Sequence, residues 1–203
     1  MSVLNLAATV RWTHYHLLMS KRGKYLLTIL GTLPLLILIA WGPWSSLLYH
    51  GDGKFSDELL FYPRYWVRFA DIPLNEASEH HFHFRGMPHE EMSLVLYIKD
   101  RQVDTWADRA PLVNLPVTIE AILQDDKGGV TCHAMGRPAP ANRDGIWVLV
   151  SGGVTGYWHY QCNFVQIYHK KNYDLTIRVS DVGPVTEKVV VTPTLEGGGL
   201  ELP

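Results

Sequence analysis

The densest group of side chains able to hold a metal or move a proton is Glu79-His80-His81-Phe82-His83-Phe84-Arg85-Gly86-Met87-Pro88-His89-Glu90-Glu91. Successive side chains of a strand alternate between faces, so Phe82 and Phe84 share one face with His80, while His81 and His83 share the other with Glu79 and Arg85. Two imidazoles so placed stand about 6–7 Å apart, enough to begin a site for Zn²⁺ or Cu²⁺. Such ions want three or four converging ligands, and the third would come from His89, His159 or an acidic neighbour. The simpler reading is a polar outer face opposite a Phe-lined inner one. No cofactor is expected.

The sequence holds no G-x-S-x-G, no P-loop, no S-x-x-K with its partner motifs, and no H-E-x-x-H despite His89-Glu90-Glu91. Asp125-Asp126 resembles a Ca²⁺-binding carboxylate pair, yet Lys127-Gly128-Gly129 after it make a solvated hairpin tip. Cys132 and His133 are a poor nucleophile pair, because adjacent strand residues face opposite ways. Binding rather than catalysis is therefore expected. Phe61-Tyr62-Pro63-Arg64-Tyr65-Trp66 and Tyr157-Trp158-His159-Tyr160 are aromatic groups suited to core or interface packing. Tyr, Trp and Arg are enriched at binding hot spots, which makes Tyr62, Arg64, Tyr65 and Trp66 the candidate partner surface.

These side chains need strands to position them. Tyr173-Asp174-Leu175-Thr176-Ile177-Arg178-Val179 alternates apolar with polar, as does the stretch from Leu115 to Leu123. Strands are expected near 65–70, 79–84, 92–98, 115–123, 129–134, 145–150, 157–168, 173–179 and 187–192, with 92–98 covered on both faces. Turn signals lie between them at 124–129, 137–145 and 151–153. Many short strands separated by turns predict an all-β domain, an antiparallel β-sandwich. Residues 100–112 could form a short helix or a long crossover, and 195–203, with Gly197-Gly198-Gly199, a flexible tail. Cys132 should face inward with Val130, and Cys162 inward with Trp158, Tyr160 and Phe164. In an oxidising compartment a disulfide between them would stabilise by about 3–4 kcal/mol; two inert buried thiols are the alternative.

Formal net charge is −2, from 18 basic and 20 acidic residues, so no electrostatic footprint for nucleic acid exists. No charged side chain occurs from Tyr25 to Tyr49. At 1.5 Å per residue, Tyr25 to Trp44 covers about 30 Å, a bilayer's hydrocarbon thickness, and Pro34 is tolerable in a spanning helix. Arg11, Lys21, Arg22 and Lys24 precede this run with no acidic residue among 1–24, which puts the N-terminus in the cytoplasm. Trp41, Trp44 and Tyr49 would form an aromatic belt at the outer interface. A cleaved secretion signal would need a shorter core and a small-residue cleavage site, whereas Trp41-Gly42-Pro43-Trp44 follows this one. The expected organisation is a cytoplasmic segment 1–24, a single transmembrane helix with its outer interface at 25–49, a periplasmic sandwich at 50–194 and the tail. No Asn-x-Ser/Thr acceptor occurs, consistent with a bacterial periplasm.

The runs Phe82-His83-Phe84-Arg85-Gly86-Met87-Pro88-His89, Leu94-Val95-Leu96-Tyr97-Ile98, Leu115-Pro116-Val117-Thr118-Ile119-Glu120-Ala121 and Tyr173 to Val179, in that order, resemble small bacterial periplasmic β-sandwich proteins anchored at the inner membrane. Some proteins of that layout are immunity proteins that neutralise a toxin injected by a competing cell. The resemblance implies a membrane-tethered module that binds a protein partner, a toxin in its sharpest version. The alternatives are an accessory single-pass subunit of an inner-membrane complex and a periplasmic metal binder using His81, His83 and His89.

Overall fold

The computed structural model describes Thr32 and residues 47–58, 64–99, 105–140, 146–150, 155–184 and 188–198. The expected span at 25–44 lies, but for Thr32, outside the described residues; among those described, no helix is long and apolar enough to cross a membrane. The strands all fall within one compact unit, Ser45–Pro203.

Apolar alternation builds that unit. In the strand Asn172–Ser180, Tyr173, Leu175, Ile177 and Val179 are buried while Asp174 and Arg178 are exposed, so one face is core and the other is solvent. In chain order the elements are β1 (His50–Gly51), β2 (Lys54–Glu58), β3 (Arg64–Arg68), β4 (Ile72–Pro73), β5 (Ser78–Arg85), β6 (Glu91–Ile98), α1 (Trp106–Val113), β7 (Thr118–Asp125), β8 (Val130–Ala139), β9 (Ile146–Val150), β10 (Gly156–Trp158), a 3-10 turn (Tyr160–Cys162), β11 (Val165–Gln166), β12 (Asn172–Ser180) and β13 (Val190–Gly198).

The all-β expectation holds. The strands form one curled sheet in the order β1-β5-β12-β7-β8-β9-β10-β6-β13-β3-β2, with β11 on β6 and β4 on β13. The two layers join through β8, whose Thr131-side half runs beside β7 up to Gly136 and whose residues Arg137 to Ala139 run beside β9. Gly136 and Pro138 sit at this change of neighbour, and Pro138 has no N–H to give a ladder. The β8–β9 pair is parallel, which departs from a wholly antiparallel arrangement. Across the core Phe69 packs on Phe82 and Phe84, with ring centroids 4.8 and 5.6 Å apart.

Of three further expectations, the helix alternative for 100–112 is met and two change. Residues 106–113 form α1, begun by a capping box in which the Thr105 N–H donates to Asp108 at 3.0 Å and the Asp108 N–H to the Thr105 hydroxyl at 3.4 Å. The strand expected over 157–168 is two short strands, β10 and β11, because the 3-10 turn interrupts it. Residues 195–198, expected in the tail, belong to β13, where Gly197 pairs with both Met92 and Tyr65. A Cβ at Gly197 would lie 2.5 Å from the Glu91 carbonyl oxygen, so glycine there serves close strand approach. Residues 199–203 lie outside the described set.

Candidate functional site

The outward face of β5, β12, β7 and β8 is a ladder of charges. Arg178 on β12 donates to Glu79 on β5 at 3.0 Å and to Glu120 on β7 at 2.5 Å. His133 on β8 meets Glu120 at 2.9 Å, His81 meets Glu79 and the Thr176 hydroxyl at 3.2 Å each, and His83 pairs with Asp174. The Arg178 hydrogen bond holds the Glu79 carboxyl below the usual carboxylate range. Each imidazole is thus tied to a different carboxylate, and neighbouring strands are stapled together.

This arrangement does not assemble the expected metal site. His81 and His83 share the outer face as alternation required, but His89 packs edge-on against Tyr168 at 4.8 Å. His159 is fully buried, its ring edge-on to Trp147 at 5.3 Å and its Nδ1 accepting the Gln161 N–H at 3.3 Å. Among the described residues no three His, Cys, Asp or Glu side chains converge on a cation. At the hairpin tip, Asp125 accepts the N–H groups of Lys127 and Gly129 at 3.1 and 2.8 Å and the Lys171 ammonium at 2.6 Å. That carboxylate serves the turn.

Cys132 and Cys162 form a disulfide with Cα atoms 5.1 Å apart, and both residues are buried. The route to this pair differs from strand alternation. Val130, expected inward beside Cys132, is exposed, because the ladder shifts register between Leu123 and Gln124. Cys162 turns inward from the 3-10 turn while Tyr160 and Phe164 turn out.

The second outward face, on β2, β3, β13, β6, β10 and β9, mixes charged and polar residues with aromatic and branched ones. Register places Ser56, Trp66, Glu196 and Ser93 in one row. The next row is Lys54, Arg68, Thr194, Val95, Trp158 and Val148, with Thr194 and Val95 buried in its middle. A third sets Tyr97 beside Gly156 and Val150. The Tyr97 hydroxyl bonds Glu196, and burial pushes it above the ordinary tyrosine range. Phe164 extends the first row: its N–H donates to the Ser93 hydroxyl at 3.3 Å, its φ is +56°, and its side chain is 54 % exposed. A bulky residue in the left-handed region stores strain, and here that backbone presents an aromatic ring to solvent.

No protein-family model matches the chain, and no curated protein matches it either.

The expected partner group is divided by the sheet. Arg64 and Trp66 point outward with Arg68, whereas Tyr65 turns to the core side with buried Val67 and lies 6.3 Å from Phe55. Tyr62 lies outside the described residues. Tyr49, expected in the interfacial belt, stacks on Phe55 at 5.4 Å within the β unit. Sequence reasoning missed Phe164, Val148 and Val150 as members of this face. Only the register of short strands around an irregular turn sets Val148 beside Trp158 and Phe164 beside Ser93, in the row that holds Trp66.

Proposed function

We propose that the chain is a membrane-tethered module whose β domain stands on the oxidising side and binds a partner protein through the face carrying Trp66, Trp158 and Phe164. The observation that carries this reading is the contrast between the two outward faces. One pairs its charges within itself and leaves Met135 and Val130 exposed on β8; the other gathers the aromatic Trp66, Trp158 and Phe164 with Val148 and Val150, Phe164 and Val150 exposed among them, beside Arg64 and Arg68. Buried aromatic anchors with a polar rim are the anatomy of protein interfaces. The Cys132–Cys162 bridge supports an exported location, since disulfides persist in oxidising compartments. The uncharged run from Tyr25 to Tyr49 with its basic N-terminal flank supports the tether.

Immunity to an exported toxin is the sharpest form of this function. It is tested by co-producing the full chain with the toxin encoded beside it. Rescue by the wild type and by His81→Ala, with loss of rescue in Trp66→Asp plus Phe164→Asp, is the expected result. A correctly exported wild type that fails to rescue rejects the immunity form.

A further inference from the structure

Among the described residues, the sheet edge at β5 is open over most of its length. Its inner neighbour β12 pairs with all eight residues from Ser78 to Arg85. Its outer neighbour β1 reaches only Arg85 and Phe84, followed by Asp52, whose N–H donates to the His83 carbonyl at 2.8 Å and whose carboxylate accepts the His83 N–H at 2.8 Å. There the chain leaves the edge through Gly53, at φ +89°, to form β2 beside β3. Backbone groups of a strand alternate in direction, so with His83 aimed outward, the N–H and C=O of His81 and Glu79 are aimed outward as well. Among the described residues nothing pairs with them.

We infer that this edge pairs with the same edge of a second copy of the chain, antiparallel and centred on His80. That register sets Glu79 opposite the second copy's His81 and His81 opposite its Glu79, and it sets Ser78 opposite Phe82. Four backbone hydrogen bonds form, two from each Glu79–His81 pairing. Polar complementarity favours this occupant: Glu79 of one copy, which also bonds Arg178 and His81 of its own chain, comes beside His81 of the other on the same outward face, twice by symmetry. An edge protected against pairing carries charged side chains, lysine above all, inward-pointing charges, bulges or proline. This one alternates acid and base, and so complements itself. The register also fits the space, because β5 begins at Ser78 and the second strand therefore starts opposite Phe82, one residue before the His83 that Asp52 occupies. The pairing uses neither the aromatic face nor the tether, and it stands apart from the partner reading.

The test is cysteine crosslinking of the full chain in membranes. In the proposed register the two His80 residues form a non-hydrogen-bonded pair with Cα atoms about 4.5 Å apart, within disulfide reach. Thr176, one strand inward beside His81, would lie three strand spacings, about 14 Å, across the sheet from its counterpart and two residues further along it. His80→Cys should therefore give a covalent dimer on mild oxidation and Thr176→Cys none. Adding Glu79→Lys or His81→Glu to His80→Cys should reduce the dimer about tenfold, and adding both should restore it. Sedimentation of the full chain in detergent, without the cysteine, should show the same order: wild type associates, Glu79→Lys does not, and the double exchange does. No dimer from His80→Cys with a monomeric wild type, equal crosslinking from Thr176→Cys, or a double exchange that fails to restore association would each overturn the inference.

Discussion

The Trp147 indole Nε1 donates to the Ile119 carbonyl oxygen at 2.9 Å inside the core, joining β9 in one layer to β7 in the other. Trp147 is fully buried, so the bond is made where water cannot replace it. Trp147→Phe keeps most of the ring and removes the donor, with an expected cost of about 1–2 kcal/mol from the hydrogen bond. Trp147→Ala adds a cavity and should cost about 3–5 kcal/mol. Urea midpoints of the three proteins check this, and a Phe variant as stable as the wild type would show that the bond contributes nothing.

The disulfide links residues 30 apart in sequence. On the chain-entropy account, closing a loop of this length stabilises by about 3.6 kcal/mol at 25 °C. Cys132→Ala with Cys162→Ala should lower the unfolding free energy by that order, and a reductant should have no further effect on the double variant. Titration of the unfolded, unreduced wild type should find no reactive thiol.

Acid should weaken the fold through three carboxylates. Hydrogen bonds from Lys99, Arg178 and Lys171 hold Asp71, Glu79 and Asp125 respectively below their ordinary values. A carboxyl with a lowered folded-state pKa binds its proton more weakly folded than unfolded. Its stabilisation is therefore complete above the unfolded value near 4 and is lost as pH falls through the folded one. Urea midpoints should change little from these groups between pH 7 and 5 and fall below pH 4. The fall should be shallower in Lys171→Met plus Arg178→Met, which removes two of the three partners; an unchanged slope would contradict the assignment.

Gly197→Ala places a Cβ 2.5 Å from the Glu91 carbonyl oxygen. Backbone on both sides leaves little room to yield, and a loss of about 1–3 kcal/mol is expected, as for overpacked sites. Were residues 195–203 a loose tail, the substitution would leave the thermal midpoint unmoved.

Where one face of a strand is fully buried, the sequence is enough to read it. Tyr173, Leu175, Ile177 and Val179 alternate because β12 has core on one side only, and the same logic placed His81 and His83 outside and Phe82 and Phe84 inside on β5. Alternation also divides Tyr65 from Trp66, although grouping them by residue type hides it. Periodicity fails at the 3-10 turn Tyr160–Cys162, which resets which side chains face inward and conceals both buried His159 and exposed Phe164. The short polar strand β2 and the two-residue β1 and β4 carry too few apolar positions for a pattern, yet β1 and β2 decide where the sheet ends. The passage of β8 from one layer to the other depends on which strands meet in space, and composition does not record that.

The central claim, that one outward face meets a partner and the other does not, is tested most directly by position-resolved photocrosslinking in intact cells. A benzophenone side chain is placed at Phe164 or Trp66 on one face and at Thr176 on the other, in the full chain. One discrete conjugate with a different protein is expected from Phe164 and Trp66, and none with a different protein from Thr176. Equal conjugates from all three positions, or one from Thr176 alone, would contradict it.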